Sequence, residues 1–319
     1  MAEAHSDNPL SHVVDHDTLE IPGFDPYTLP KFTFGNYELQ ISRFMVMQVV
    51  AALLVIVVII PFVRHVKKRP VTKGRFMNIF EAIVMFIRDG IARPAIDGTH
   101  DDHHEADAHK KKKPDPHAHH NGLDLDEGEL GVMHNAAGHV IAAKTRDSDL
   151  FLPFLWTMFF FILFNNLLGM VPGGSSATGN ISVTSMLALM TLIAVVTAGI
   201  RAMGVKGYFI GIVPKMDVPK ILKPALWGMM FVIEIMGLFI RHIVLCVRLF
   251  ANMLAGHIVL AVILGFTLQA VGIVTYLVTP ASIVGSVAIS LLELFVAFLQ
   301  AYIFTFLAAL FIGSAAHPH

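Results

Sequence analysis

Five charged or titratable side chains stand out among those that interrupt the long apolar stretches in the C-terminal part of this 319-residue chain. Four of them fall between Ala225 and Leu264, and the fifth falls between Ile283 and Ile312. A charged group at the centre of a lipid bilayer costs about 2.5–3.5 kcal/mol. Several such groups in two neighbouring stretches therefore indicate an ion or proton pathway. The five residues are Glu234, Arg241, Arg248, His257 and Glu293.

Helical spacing indicates which residues of the first apolar stretch share a face of the helix. Glu234, Arg241 and Arg248 are seven positions apart, so they lie along one face of a helix. Asn252 follows Arg248 by about one turn and joins that face. His257 comes nine positions after Arg248 and points to the opposite side. One helix therefore presents a row of charges on one side and an imidazole on the other.

The second stretch carries Glu293 and Gln300, which are seven positions apart and share a face of the last helix. Imidazole and carboxylate groups exchange protons near physiological pH, whereas a guanidinium stays charged. The two stretches together predict a proton relay and a fixed positive barrier built from the same two helices.

Two of these residues have a second interpretation. Arg241 is followed by His242 near one end of its apolar stretch, so both are either secondary pathway residues or side chains near a membrane interface. Glu234 either lines the pathway or forms an ion pair with Arg241. Arg248 lies deeper among apolar neighbours, which favours a functional role.

The composition excludes a water-soluble protein. Of all residues 55% are hydrophobic and 15% are charged, whereas a soluble protein carries about 25% charged residues. The net charge of −1 gives no support to nucleic-acid binding. The single cysteine, Cys246, excludes a disulfide framework and a thiolate metal cluster. A phosphate-binding loop motif is absent from the sequence, so the chain is predicted to make no ATP itself. It is expected to be a non-catalytic subunit, and neither a cofactor nor a metal is expected.

These features predict an all-α integral membrane protein in five segments. The basic residues after the first span predict that the N-terminus lies outside. Because five membrane elements follow one another, the C-terminus is then predicted to lie in the cytoplasm. The apolar stretch that begins at Ala225 is too long for one perpendicular span, so it is tilted, broken or partly interfacial. A linker is predicted at 267–282. The segments are a polar outer tail (1–43), a first transmembrane helix (44–63), a basic linker with an interfacial amphipathic helix (64–96), a His-rich cytoplasmic loop (97–149) and a membrane domain (150–319). The membrane domain is predicted to contain two further spans, at 150–170 and 181–200, and a hairpin of two long helices.

Two of these segments each allow two interpretations. The apolar residues between Phe76 and Ile87 recur at helical spacing, as in an interfacial helix or in a packed helix of a small soluble domain. Nine histidines between His100 and His139 could bind a transition metal. They lack a fixed ligand spacing, and the segment has few apolar residues, so a solvated, disordered loop is predicted.

Two motifs carry a family resemblance. The segment VRLFANMLAGH (Val247–His257) resembles the signature of subunit a of F-type ATP synthases, the proton-channel stator beside the rotating c ring. The segment LQAYIFTFL (Leu299–Leu307) is similar to that family's last-helix motif. Glu234 stands fourteen residues before Arg248, where many bacterial members also carry Glu. The resemblance covers roughly residues 150–312, with weaker similarity in the first span.

The resemblance implies roles for five residues. Arg248 matches the family's essential arginine, Asn252 its polar neighbour, and Gln300 the glutamine that faces the arginine from the other helix. His257 and Glu293 match a coupled pair on the outer access channel. Many bacterial relatives carry Glu and His in the reverse order at these two positions, whereas this chain has the arrangement that mitochondrial members tend to have.

The resemblance also implies the mechanism and the partners. Two long tilted helices lie beside the c ring, and an outer half-channel is lined by His257, Glu293 and Glu234. Arg248 separates it from a cytoplasmic half-channel. The implied partners are the c-ring subunits, the peripheral-stalk b subunits, the rest of the ATP synthase complex and membrane lipid, in the inner membrane of a bacterium. Proton or sodium coupling stays open, because ion choice is attributed to the ring.

The competing function is a secondary transporter or ion channel with a charged site at the membrane midplane. Such a protein is predicted to carry inverted internal repeats with paired broken helices. The sequence shows no repeat of this kind, and its buried charges are confined to one pair of helices.

Overall fold

A computed structural model describes most of the membrane-spanning part of the chain and short pieces of the polar segments. The described residues are 18–19, 27–34, 37–40, 42–68, 75–97, 132–134, 140–142, 147–171, 176–213, 222–269 and 272–316.

The described structure is dominated by helices. Five helical regions are long and apolar enough to cross a membrane, and they contain α1, α3, α4, α5 and α6. The prediction of an all-α integral membrane protein is thereby confirmed. The helices are α1 (Arg43–Lys68), α2 (Arg75–Met85), a π-helical segment (Phe86–Asp97), α3 (Asp147–Met170), α4 (Ile181–Gly211), α5 (Lys223–Gln269) and α6 (Thr275–Ala316).

Short antiparallel strand pairs occur in the polar segments. The first two pairs lie in the N-terminal tail and the third lies in the His-rich segment. Most histidines of that segment fall outside the described residues, so its solvated character stays a prediction. The pairs are β1 (Thr18–Leu19) with β2 (Tyr27–Thr28), β3 (Lys31–Phe34) with β4 (Tyr37–Gln40), and β5 (Val132–His134) with β6 (Val140–Ala142).

Helix α6 lies at the centre of the bundle and packs against α3, α4, α5 and the π-helical segment. Its buried side alternates small residues such as Ala301 and Ala308 with the larger Phe304 and Ile312. Small side chains let neighbouring helix backbones approach closely. The helix that carries Glu293 and Gln300 is therefore held on several sides.

Helix α5 is continuous over 47 residues, which corresponds to about 70 Å. The prediction allowed a broken helix in this stretch, and that alternative is wrong. In an apolar 18-residue window of α5, 17% of the residues are buried within the chain, against 50% in the corresponding window of the region that contains α6. Helix α5 therefore presents most of its surface outward from the bundle.

The connection between α5 and α6 is shorter than the predicted linker at 267–282. Helix α5 continues to Gln269, and α6 begins at Thr275 after a short 3-10 turn at Gly272–Val274. Gly272 has a φ of 71°, which a residue with a side chain rarely adopts. The described part of this connection is a left-handed glycine and one tight turn, and apolar residues on both sides extend the helices rather than a loop.

Helix α4 begins where the side chain of Asn180 accepts a hydrogen bond from the backbone amide of Ser182 at 2.9 Å. It runs beyond the Ile181–Ile200 span expected from composition and continues to Gly211. Gly204 has a φ of 76° and a non-helical conformation, which kinks the helix. The kink redirects the last turns of α4, which carry Tyr208.

The π-helical segment packs into the bundle through Ile87, Ile91 and Ile96, which have no exposed surface. It contacts α3 and α6. Packing against membrane-crossing helices favours the interfacial interpretation of this region over a separate soluble domain. At its end, a carboxylate oxygen of Asp97 accepts a hydrogen bond from the Ser148 hydroxyl at 2.6 Å, which joins the two sides of the His-rich segment.

Candidate functional site

Two contacts set the antiparallel alignment of α5 and α6. The carboxylate of Glu293 on α6 lies against Gly256 on α5. Nearer the start of α5, the rings of His242 and Phe311 have centroids 5.5 Å apart. The two helices therefore run in opposite directions, so residues later in α5 face residues earlier in α6. The predicted site residues lie at three levels along this pair.

The first level is the His257–Glu293 pair. A side chain added at Gly256 would meet the Glu293 carboxylate carbon at 2.9 Å, so the absence of a side chain lets the carboxylate pack against the α5 backbone at the residue before His257. Nε2 of His257 is buried and has no hydrogen-bond partner among the described residues. The described contacts include no direct ion pair between His257 and Glu293. The pair thus places an imidazole and a carboxylate on facing helices at one level.

The middle level contains Arg248, Asn252 and Gln300. Interpolating between the two contacts places Gln300 opposite about position 251 of α5, within one turn of both other residues. Gln300 is buried, Arg248 is half-buried and Asn252 is exposed. Within the described parts of the chain, Arg248 forms no ion pair. Its guanidinium charge is therefore available to a group from outside this chain.

The third level is a cavity of about 360 Å³ between α4, α5 and α6, called here the α4–α5–α6 cavity. Its polar lining comes from all three helices. The guanidinium carbon of Arg241 lies 6.0 Å from the centroid of the Phe311 ring. The polar lining residues are Tyr208, Glu234, Arg241, His242 and Ser314.

The structure separates Glu234 from the outer residues with which it was grouped. Glu234 stands 23 positions before His257 on one continuous helix, which is about 35 Å. The structure therefore does not bring Glu234 together with His257 and Glu293. Glu234 and Arg241 line one cavity, but the described contacts include no ion pair between them.

A buried polar network beside the connection between α3 and α4 was not predicted as part of the site. The Asn166 side chain accepts a hydrogen bond from the Thr178 hydroxyl at 2.7 Å and donates one to the carbonyl of Ala297 at 3.5 Å. Ala297 is one turn from Glu293 on α6. The sequence signal for this network was the pair of adjacent amides, Asn165 and Asn166, inside an apolar helix.

A second missed residue lies on α6. Ser286 precedes Glu293 by seven positions, so Ser286, Glu293 and Gln300 share one face. The hydroxyl oxygen of Ser286 is buried and has no hydrogen-bond partner among the described residues. The heptad spacing was visible in the sequence, but a serine in an apolar helix usually bonds its own backbone.

Comparison with known proteins decides the family. The family model described as ATP synthase A chain matches residues 129–313.

The chain belongs to the ATP synthase subunit a family.

Curated relatives agree with this membership of the ATP synthase subunit a family. The chain is 35% identical over 318 residues to ATP synthase subunit a of Chlorobium phaeobacteroides, covering 98% of this chain and 76% of the relative. It is 33% identical over 310 residues to ATP synthase subunit a of Chloroherpeton thalassium, covering 96% and 75%. It is 51% identical over 174 residues to ATP synthase subunit a of Anaeromyxobacter dehalogenans, covering 54% and 44%. Membership in this family favours the ATP synthase interpretation over a secondary transporter.

Proposed function

We propose that this chain is the stator subunit of the membrane sector of a rotary ATP synthase and forms two offset proton half-channels. The observation that carries the proposal is the position of Arg248 between two polar sites on one continuous helix. Arg248 lies nine positions from His257 and fourteen from Glu234, about 13 Å and about 21 Å along the axis. A fixed positive charge thus separates two groups of titratable residues.

The outer half-channel is formed around the His257–Glu293 pair. Protons from outside reach the pair through the polar face of α6 that carries Ser286. An imidazole and a carboxylate at one level pass a proton between them through a water or a small side-chain movement. From there the proton neutralises a carboxylate of the c ring, and the neutral group can rotate into lipid.

The inner half-channel is the α4–α5–α6 cavity. It lies toward the start of α5, where exposed basic residues such as Lys206 and Lys223 flank the helices. By the positive-inside rule this end faces the cytoplasm. A ring carboxylate that has completed its rotation releases its proton here, and Glu234 receives it in the wall of the cavity.

Arg248 keeps the two half-channels apart. Its permanent charge favours the ionised form of a ring carboxylate and repels a proton that would cross directly between the two sites. Each proton driven by about 100 mV yields about 2.3 kcal/mol. Several protons must therefore be combined by rotation for each ATP, and the chain itself performs no nucleotide chemistry.

The outward surface of α5 suits the implied partner. It exposes large apolar side chains along its length, including Phe239, Val247 and Val262. Such a surface fits a ring of c subunits and surrounding lipid, with b subunits and the remaining ATP synthase subunits completing the complex. The expected location is the inner membrane of a bacterium.

The test is ATP-driven proton pumping in inverted membrane vesicles that contain the whole complex. Arg248→Ala is expected to abolish pumping, while Arg201→Ala is expected to pump as the wild type does, because the Arg201 side chain is exposed on α4 and does not line the α4–α5–α6 cavity. Equal amounts of complex in both membranes exclude an assembly defect. Wild-type pumping by Arg248→Ala would contradict the proposal.

A further inference from the structure

His242 is a buried imidazole in the wall of the α4–α5–α6 cavity. Its relative exposure is 4%, and it is one of the polar residues that line the cavity. The sequence offered it only as a secondary pathway residue or as a neighbour of Arg241 near the membrane surface. A largely buried residue does not match the second interpretation.

The hydrogen bonding of His242 shows which of its two ring nitrogens carries the proton in the neutral ring. Nδ1 lies 2.8 Å from the carbonyl oxygen of Leu238. A carbonyl oxygen only accepts, so Nδ1 carries a proton and donates it. In the neutral ring Nε2 is then the nitrogen with a free lone pair. Nε2 is buried and has no hydrogen-bond partner among the described residues.

An unpaired acceptor of this kind needs a partner. A buried polar atom without a hydrogen bond costs about 1–3 kcal/mol, and buried polar atoms are nearly always satisfied. A water occupies about 30 Å³ of liquid volume, and the neighbouring cavity of about 360 Å³ therefore accommodates several waters. His242 lines this cavity, and Nε2 is its ring nitrogen without a partner among the described residues.

The charges around His242 favour a short-lived imidazolium. Helix α5 brings the cation Arg241 and the carboxylate Glu234 to the cavity, and α4 brings the neutral phenol Tyr208. Helix α6 contributes Phe311 and Ser314, which are uncharged. The adjacent guanidinium of Arg241 repels a proton on the ring, so a proton that Nε2 accepts is soon returned to water or to the Glu234 side.

We propose that His242 is a proton-relay residue of the inner half-channel. Nε2 accepts a proton from water in the cavity and releases it again, while Nδ1 keeps its proton on the Leu238 carbonyl. His242 lies eight positions from Glu234 and six from Arg248, about 12 Å and about 9 Å along α5. It thus bridges the distance between the cavity carboxylate and the arginine level. This inference rests on the proposed function of the cavity as a half-channel.

Two conservative variants test the roles of the two ring nitrogens of His242. His242→Asn keeps an amide donor near Nδ1 and removes Nε2, and His242→Gln places an amide near Nε2 that cannot titrate. In ATP-driven pumping, protons are drawn from the cytoplasmic side, and a relay matters most where protons are scarce. Both variants are expected to pump about tenfold more slowly at alkaline pH on that side, less than the ~10²–10⁴ of general acid–base catalysis, because water partly substitutes. The defect is expected to shrink at acidic pH.

Added imidazole is expected to restore pumping by His242→Ala. Cys246→Ser is the matched control, because Cys246 is buried on α5 one turn away and contacts only the hydroxyls of Thr184 and Ser185 among its described polar contacts. It is expected to keep the wild-type pH profile.

Three results would overturn the relay: wild-type pumping by both conservative variants, a loss that is equal at every pH and insensitive to imidazole, or failure of both variants to assemble, which would show a packing role. The Arg248→Ala experiment decides the half-channel proposal independently of His242.

Discussion

The carboxylate of Glu293 lies against the backbone of Gly256, the residue that immediately precedes His257. This contact joins the two longest described helices and places a carboxylate at the level of the His257 imidazole. A methyl group at position 256 would stand 2.9 Å from the carboxylate carbon and 3.1 Å from the preceding methylene, both closer than ordinary van der Waals contact. The geometry of the His257–Glu293 pair thus depends on a missing side chain.

Gly256→Ala is expected to reduce proton pumping by moving the Glu293 carboxylate. Alanine ordinarily favours a helix over glycine by about 1 kcal/mol, so a loss of function would not come from helix propensity. Gly237→Ala on the same helix is the matched control, because an added side chain there meets nothing within 4 Å. Pumping is measured in inverted vesicles. If both variants pump equally well, the docking of Glu293 on Gly256 is unimportant for function.

Exchanging the two members of the His257–Glu293 pair tests whether they act together. His257→Ala and Glu293→Gln are each expected to lower pumping strongly, because each removes one titratable group. The double exchange His257→Glu with Glu293→His keeps one imidazole and one carboxylate at the same level. It is expected to pump faster than either His257→Glu or Glu293→His alone. A double variant no better than the poorer single variant would argue against coupling.

Thr178→Val is expected to lower the thermal stability of the complex. The Thr178 hydroxyl is buried and donates to Asn166 at 2.7 Å, so its removal leaves a buried amide oxygen without that donor. The cost is expected to be about 1–3 kcal/mol. Thr197→Val is the control, because Thr197 is exposed and bonds a carbonyl of its own helix. Thermal dissociation of the purified complex measures both, and equal midpoints would contradict the role of the network.

Deleting residues 101–139 is expected to leave proton pumping intact. The two sides of this segment are joined by Asp97, whose carboxylate accepts hydrogen bonds from the Ser148 hydroxyl at 2.6 Å and the Ser148 backbone amide at 3.2 Å. The join lies outside the deletion, so the bundle keeps its connection. Combining the deletion with Ser148→Ala is expected to lower the amount of assembled complex. Loss of pumping that only added metal restores would instead show that the histidines bind a functional metal.

The sequence by itself determined the class of the molecule and the identity of its central residues. Low charge content and long apolar stretches are sufficient to predict membrane helices, because lipid tolerates few polar groups. Arg248, His257 and Glu293 stood out because each is costly in an apolar helix. Their seven- and nine-residue spacings translate directly into faces, since α5 is one continuous helix.

Only the tertiary structure decided how these residues are grouped. Periodicity along one helix gives a face but not the level at which a second helix meets it. The family resemblance grouped Glu234 with the outer pair, whereas the length of α5 puts it about 35 Å from His257, in a cavity with His242. The cavity itself depends on the kink at Gly204 and on the end of α6. Such contacts join residues far apart in the chain, so no local pattern encodes them.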